Sequence, residues 1–322
     1  MPYGTFLVCG FEGLSVPEDF ARFLREKKPG GVVLFARNYE SPIQLKALCS
    51  ELKSFSDCPP LIMVDQEGGA VVRFREGFPE LPSMRTFGER RDFAGLSAAC
   101  RRTAEALSQS GVDVNLTPVV DVVTDPKNAY LKPRTFGDAP LLVSQMAKAA
   151  IEALHSGGVL TCAKHFIALG DSAKDPHQLL PQSNASKEKL DVIFFPPFRA
   201  AVEAGVDGVM STHIRVPALD EKEPVVFSKT ALSLLRVVLG FEGAILSDDL
   251  EMGGIADNWG VPEAAVLALL AGNDMALVCH SLERQEIALE KIAKEAEKKG
   301  DFARQLKVSQ KRLDILRAKR KV

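Results

Sequence analysis

Short apolar runs recur along the chain, each followed by a longer stretch in which apolar residues return every three or four positions. The runs are Thr5–Cys9, Gly31–Phe35, Leu61–Asp65, Asp113–Leu116, Val159–Ala163, Gly208–Ser211, Ala244–Ser247 and Met275–Val278. Their length and β-branched content predict strands. Helical spacing marks Pro17–Lys27, Pro42–Phe55, Leu96–Ser110, Leu141–Ser156, Lys187–Ala204, Lys229–Leu239 and Pro262–Ala271, and a last helical segment covers Glu283 to Arg320. Strands that are almost continuously apolar are buried on both faces, as in parallel sheets. Eight β-then-α units in unbroken alternation predict an α/β fold, a single (β/α)8 TIM-type barrel. A doubly wound open sheet would need a Gly-rich phosphate turn after its first strand, and Phe11-Glu12-Gly13 is not one. No low-complexity linker divides the chain, so residues 1–322 are expected to form one domain.

Composition narrows the picture further. At 322 residues the chain is longer than the typical barrel of about 250, yet within the range of the fold. Forty basic and 42 acidic residues give a formal net charge of -2, which argues against a general polyanion-binding surface. The basic end, with Arg317, Lys319, Arg320 and Lys321, reads as a solvated helix terminus. No stretch approaches the roughly 20 apolar residues of a membrane span. The start, MPYGTFLVCGFEG, lacks the basic region of a secretory signal. Six scattered cysteines form no C-x-x-C pair and read as thiols of a reducing compartment. The expected setting is therefore cytoplasmic. No nucleic-acid or membrane partner and no cofactor are expected, and the chain is expected to be a monomer.

In such a barrel, chemistry collects at the C-terminal ends of the strands. The third run leads into Asp65-Gln66-Glu67-Gly68-Gly69, the fifth into Lys164-His165, the sixth into Thr212-His213 and the seventh into Ser247-Asp248-Asp249. Arg134 lies after the fourth, in LKPRTFG. Four strands finishing on ionisable side chains would converge on one mouth. Gly68 and Gly69 permit positive φ and a close backbone approach at the pocket floor. No G-K-[ST] follows them, so they are not a phosphate loop. No clustered spacing of His, Cys, Asp or Glu supports a metal site.

The stretches MVDQEGGAVVRF, AKHFIALGDSAKDPHQLLP and AILSDDLEM, supported by GGVVLFARN, NLTPVVDV, PRTFGD and VDGVMSTHI, resemble the motifs of glycoside hydrolase family 3. The likeness runs in order from about residue 4 to about residue 280. It is closest to the short cytoplasmic bacterial β-N-acetylhexosaminidases of the NagZ type. That resemblance implies a retaining exo-β-N-acetylglucosaminidase that releases non-reducing-end GlcNAc from peptidoglycan fragments, GlcNAc–anhydro-MurNAc and its peptides.

Retaining cleavage needs a nucleophilic carboxylate and a proton donor on opposite sides of the anomeric carbon. Neighbouring residues of a regular strand face opposite ways, so only one of Asp248 and Asp249 can address the mouth, and parity does not say which. The resemblance selects Asp248 as nucleophile and leaves Asp249 to orient a loop or pair with a cation. It makes His177 the general acid/base, with Asp175 as its partner. An imidazole held by a carboxylate keeps one tautomer and titrates near neutrality, as the role requires. It further implies that Asp65 accepts hydrogen bonds from sugar hydroxyls. Arg73, Arg134, Lys164 and His165 would donate to hydroxyls and to the N-acetyl group. His213 would lie at or beside the sugar. Arg73 could instead bridge to Glu67. His155 and His280 receive no role.

Three departures stand out. Where the family reads K-H-F-P-G-H-G-D-T, this chain reads KHFIALGDS. The family's Arg after D-Q-E-G-G is Ala70, and its Ser between the paired Asp and His is Pro176. They bear on rate, loop mobility and substrate choice rather than on reaction class. Other readings are a sugar-binding barrel with little catalysis, or a β-glucosidase of the same family. The latter usually takes its acid/base Glu from a second domain, for which this chain has no room. Phosphate could also replace water as the acceptor.

Overall fold

A computed structural model describes residues 3–320 of the protein; Lys321, counted above in the basic end, lies outside the described residues. Eight strands appear in chain order: β1 (Leu7–Cys9), β2 (Gly31–Leu34), β3 (Leu61–Val64), β4 (Val114–Asn115), β5 (Leu160–Phe166), β6 (Gly208–Ser211), β7 (Ala244–Asp249) and β8 (Met275–Val278). Each pairs in parallel with its sequence neighbours, and β8 returns to β1, so the sheet closes into the expected (β/α)8 barrel. All residues of β1 to β6 and β8 are buried, including Asn115 of β4 and Lys164 and His165 of β5. Helices lie between successive strands. Among the described residues no helix is long and apolar enough to cross a membrane.

One polar device recurs at the bottom of the barrel. Asp113, Asp207 and Asp274 immediately precede β4, β6 and β8. Each carboxylate accepts the N–H of a residue in the preceding strand: Ile62 at 2.8 Å, Thr161 at 3.0 Å and Ile245 at 2.9 Å. Each also pairs with basic side chains of the outer layer: Lys53; His155 with Lys319; and Arg236 with Arg312. Buried carboxylates are tolerable only when paired and hydrogen-bonded in this way. His155 thus serves the barrel's floor, far from the strands' C-terminal ends. The final helix, Asp301–Ala318, is tied down through Arg312 and Ser309, whose hydroxyl donates to Asp274 at 2.7 Å.

Two helical stretches are broken where the periodicity predicts continuity. Lys187–Ala204 contains a π turn at Leu190–Phe194 before the helix Phe195–Glu203. Pro196 and Pro197 have no N–H to offer the carbonyls four residues earlier, so the regular ladder cannot pass through them. The last segment divides into Leu282–Glu297 and Asp301–Ala318. Lys299 takes φ 54° just ahead of Gly300, a left-handed stop. Two short helices, Met84–Arg90 and Gly253–Trp259, lie where the apolar spacing predicts none.

Candidate active site

β5 and β7 run past their expected ends, and both are irregular there. Between Ala163 and Phe166 the register of β5 gains one residue over β6, and between Leu246 and Asp249 β7 gains one over β8. Such a bulge re-aims side chains that strict alternation would send to opposite faces. Lys164 and His165 therefore both line the cavity at the barrel mouth, as do Asp248 and Asp249. The expectation of a regular seventh strand, with one aspartate facing away, is corrected by this extra residue.

The cavity has a volume of ≈ 500 Å³, within the range of about 300–1,000 Å³ typical of small-molecule sites. Asp65, Arg73, Arg134, Lys164, His165, His177 and Asp248 all line it. Asp175 stands beside His177, and His213 is fully buried behind Asp248 and does not reach the cavity wall.

One end of the cavity is a dense ion-pair network. Asp65 and Glu67 both line the cavity, while Gln66 is fully buried and fastens the loop. Its amide donates to the Phe74 carbonyl at 2.8 Å and accepts from the N–H groups of Arg73 and Phe74. Buried Glu67 receives Arg134 through Nε and Nη2, both at 2.8 Å, and Lys164 at 2.6 Å. Burial alone would push the Glu67 carboxyl up, but these cations outweigh it and hold it far below the ordinary 4.5. Lys164 also donates to Asp65 at 2.5 Å. Its burial favours the neutral amine, and the two carboxylates reverse that and raise its pKa. Arg73 approaches Asp65 at 3.7 Å. The alternative bridge from Arg73 to Glu67 is not made, since Arg134 and Lys164 occupy that carboxylate. His165 donates through Nδ1 to Asp121 at 2.7 Å and accepts from Arg134 at 3.3 Å through Nε2.

Asp248 sits opposite. Burial raises its carboxyl, but the His213 and His165 rings, the N–H of Asp249 at 2.8 Å and Lys164 more than offset this and hold it below 3.8. The His213 ring is itself pushed below its ordinary 6.5 by burial. Through Nε2, His213 donates to the Asp249 carbonyl at 2.9 Å, pinning the bulge that presents Asp248.

His177 lies on the rim. Its side chain is 62% exposed, and Nδ1 donates to Asp175 Oδ1 at 2.7 Å, which leaves Nε2 as the free nitrogen. The same oxygen accepts the His177 backbone N–H at 3.0 Å, so Asp175 fixes both the turn and the ring. The base of this loop is anchored at Asp171, which accepts from Thr124 and Ser183 at 2.6 Å each and pairs with Lys189. The departing residues Ile167, Ala168 and Leu169 are buried beneath it, and Leu169 lines the cavity.

Several wall residues escape sequence reasoning. Glu67 is the hub of the cation network. His280, given no role above, lines the cavity; Nε2 lies 3.1 Å from Asp249 Oδ2 and the ring packs 5.3 Å from that of Phe35. Its hydrogen bond to Asp249 raises its pKa. Asp249 thus has a hydrogen-bonding partner in His280. Tyr130 also lines the wall. The only signal for His280 was its place just past β8. Gly68 and Gly69 do take positive φ, 108° and 59°, but they crowd Pro82 and Ser83 rather than the pocket floor. Among the described residues no group of three or more His, Cys, Asp or Glu is arranged to hold a metal ion.

Comparison with known proteins bears on this geometry. Residues 11–317 match the glycosyl hydrolase family 3 N-terminal domain. The beta-hexosaminidase of Thiobacillus denitrificans is 37% identical over 295 residues, covering 89% of this chain and 81% of that protein. The family 3 beta-N-acetylglucosaminidase of Paenibacillus sp. superposes with a TM-score of 0.96 at 32% identity, over 99% of this chain and 62% of that one. NagZ from Neisseria gonorrhoeae, solved with N-trifluoroacetyl-D-glucosamine, superposes with a TM-score of 0.81 at 32% identity, over 88% and 84%. With the barrel, its mouth and these relatives in agreement, the chain belongs to glycoside hydrolase family 3.

Proposed function

We propose that this chain is a retaining exo-β-N-acetylglucosaminidase. The observation that carries the reading is one cavity with an ionised carboxylate, Asp248, on its wall and the His177–Asp175 pair on its rim. The charged network of Asp65, Glu67, Arg134 and Lys164 offers strong hydrogen bonds to a hydroxyl-rich ring, with Arg73 and His165 alongside. Asp248 attacks C1 while the Nε2–H of His177 protonates the leaving oxygen. The neutral ring then takes a proton from water as the glycosyl–Asp248 ester is hydrolysed. Asp175 holds the tautomer and stabilises the charged ring.

The relatives named for hexosaminidase or N-acetylglucosaminidase activity, and the neighbour solved with an N-acylglucosamine, support an N-acetylated sugar. The motif resemblance supports GlcNAc–anhydro-MurNAc and its peptides as substrates, met in the cytoplasm by a monomeric, single-domain enzyme. His213, behind Asp248, acts on the nucleophile's strand more than on the sugar.

Hydrolysis of an aryl N-acetyl-β-glucosaminide and of the matching aryl β-glucoside tests the reading. The wild type should prefer the N-acetyl substrate, release free sugar even in phosphate buffer, and lose activity in Asp248→Ala and His177→Ala. Inactive wild type would leave a sugar-binding barrel, preference for the glucoside a β-glucosidase, and a sugar 1-phosphate product a phosphorylase.

A further inference from the structure

The tip of the loop that carries Asp175 and His177 has few ties to the rest of the barrel. Among the described residues, two backbone hydrogen bonds join residues 173–180 to other parts of the chain. Gly253 N–H donates to the His177 carbonyl at 3.1 Å, and Gly254 N–H donates to the Pro176 carbonyl at 3.1 Å. Gly253 and Gly254 open the helix Gly253–Trp259, whose first N–H groups have no partner within the helix. The loop supplies those partners.

Neither position has space for a side chain. A Cβ on Gly253 would stand 2.8 Å from the His177 carbonyl oxygen; on Gly254 it would stand 2.8 Å from that of Pro176 and 3.0 Å from that of Leu179. The obstructing atoms are backbone, so the loop itself would have to move. The same turn leads straight back to the nucleophile. Met252 N–H donates to the Asp249 carbonyl at 3.1 Å and Glu251 N–H to Asp249 Oδ1 at 3.1 Å, next to Asp248.

We infer that Gly253 and Gly254 are positioning residues that dock the acid/base loop onto the segment following the nucleophile, so that His177 and Asp248 share one frame. This rests on the reading of His177 as the general acid/base. Aryl N-acetyl-β-glucosaminides of differing leaving-group ability test it. A phenyl leaving group needs protonation; a 2,4-dinitrophenyl group leaves without it. Gly253→Ala and Gly254→Ala should lose on the order of 10- to 100-fold in kcat/KM, which reports the first step, on the phenyl substrate, because a displacement near 1 Å is felt on that scale. Their kcat/KM on the dinitrophenyl substrate should change little, and they should keep the wild-type thermal unfolding midpoint.

Equal losses of kcat/KM on both substrates, or no loss on either, would overturn the inference. His177→Ala separates the two ideas. Without a leaving-group bias in that variant, both fall; with the bias there but absent from the glycine variants, only the docking role falls. If the alanine variants do not fold, hydrogen exchange at Gly253 and Gly254 in the wild type decides. Slow exchange is expected, and exchange at the rate of a free loop would contradict it.

Discussion

Glu67 shows what a single residue contributes that its motif does not announce. It lies within Asp65-Gln66-Glu67, but its partners come from the segment after β4 and from β5, so its role exists only once three elements meet. Asp65, Arg134, Lys164 and His165 were legible because each ends a strand or sits in a recognisable motif. Glu67 and His280 were not, because ordinary strand-end polarity looks the same in sequence. The charge of Glu67 gives a testable pH dependence. Its folded-state pKa lies below 4.5, so its contribution to stability is complete above the unfolded value and is lost as pH falls through the folded one. The wild type's resistance to denaturant should therefore fall as the medium is acidified below 4.5. Glu67→Gln should show a shallower slope across that window; an identical slope would contradict the assignment.

Among the elements, all eight strands and the main helices were legible from apolar spacing, and the ends of β5 and β7 were not. A bulge leaves no mark in hydrophobic periodicity, since it changes which way a residue points without changing what the residue is. Those two ends carry Lys164, His165, Asp248 and Asp249, so parity fails at the mouth of the barrel. The aspartates at the barrel floor make a second element-scale case. Asp274 is fully buried and answers Arg236, Arg312, Ser309 and the Ile245 N–H at once. Asp274→Ala leaves those donors unmet and should cost about 3–5 kcal/mol of stability, read by urea unfolding. Activity per folded molecule should persist, since the floor and the mouth are opposite ends of the barrel. Loss of activity without loss of stability would contradict this division.

For the whole molecule, the closed barrel sets where each participant can come from. In the proposed mechanism the nucleophile would rise from β7, the polar sugar contacts from the segments at β3 to β5, and the acid/base from the loop after β5. The family resemblance made this distribution readable, and periodicity alone supplied only the barrel. The central claim is a covalent glycosyl–Asp248 intermediate handled by His177. It is tested most directly by peptide mass mapping of the His177→Ala variant, quenched during turnover of a 2,4-dinitrophenyl N-acetyl-β-glucosaminide. In that variant the first step needs no acid and the second lacks its base, so the intermediate accumulates. One added N-acetylhexosamine is expected on the peptide containing Asp248, absent from the Asp248→Ala, His177→Ala double variant. An adduct on another residue, or steady turnover with no adduct, would contradict it.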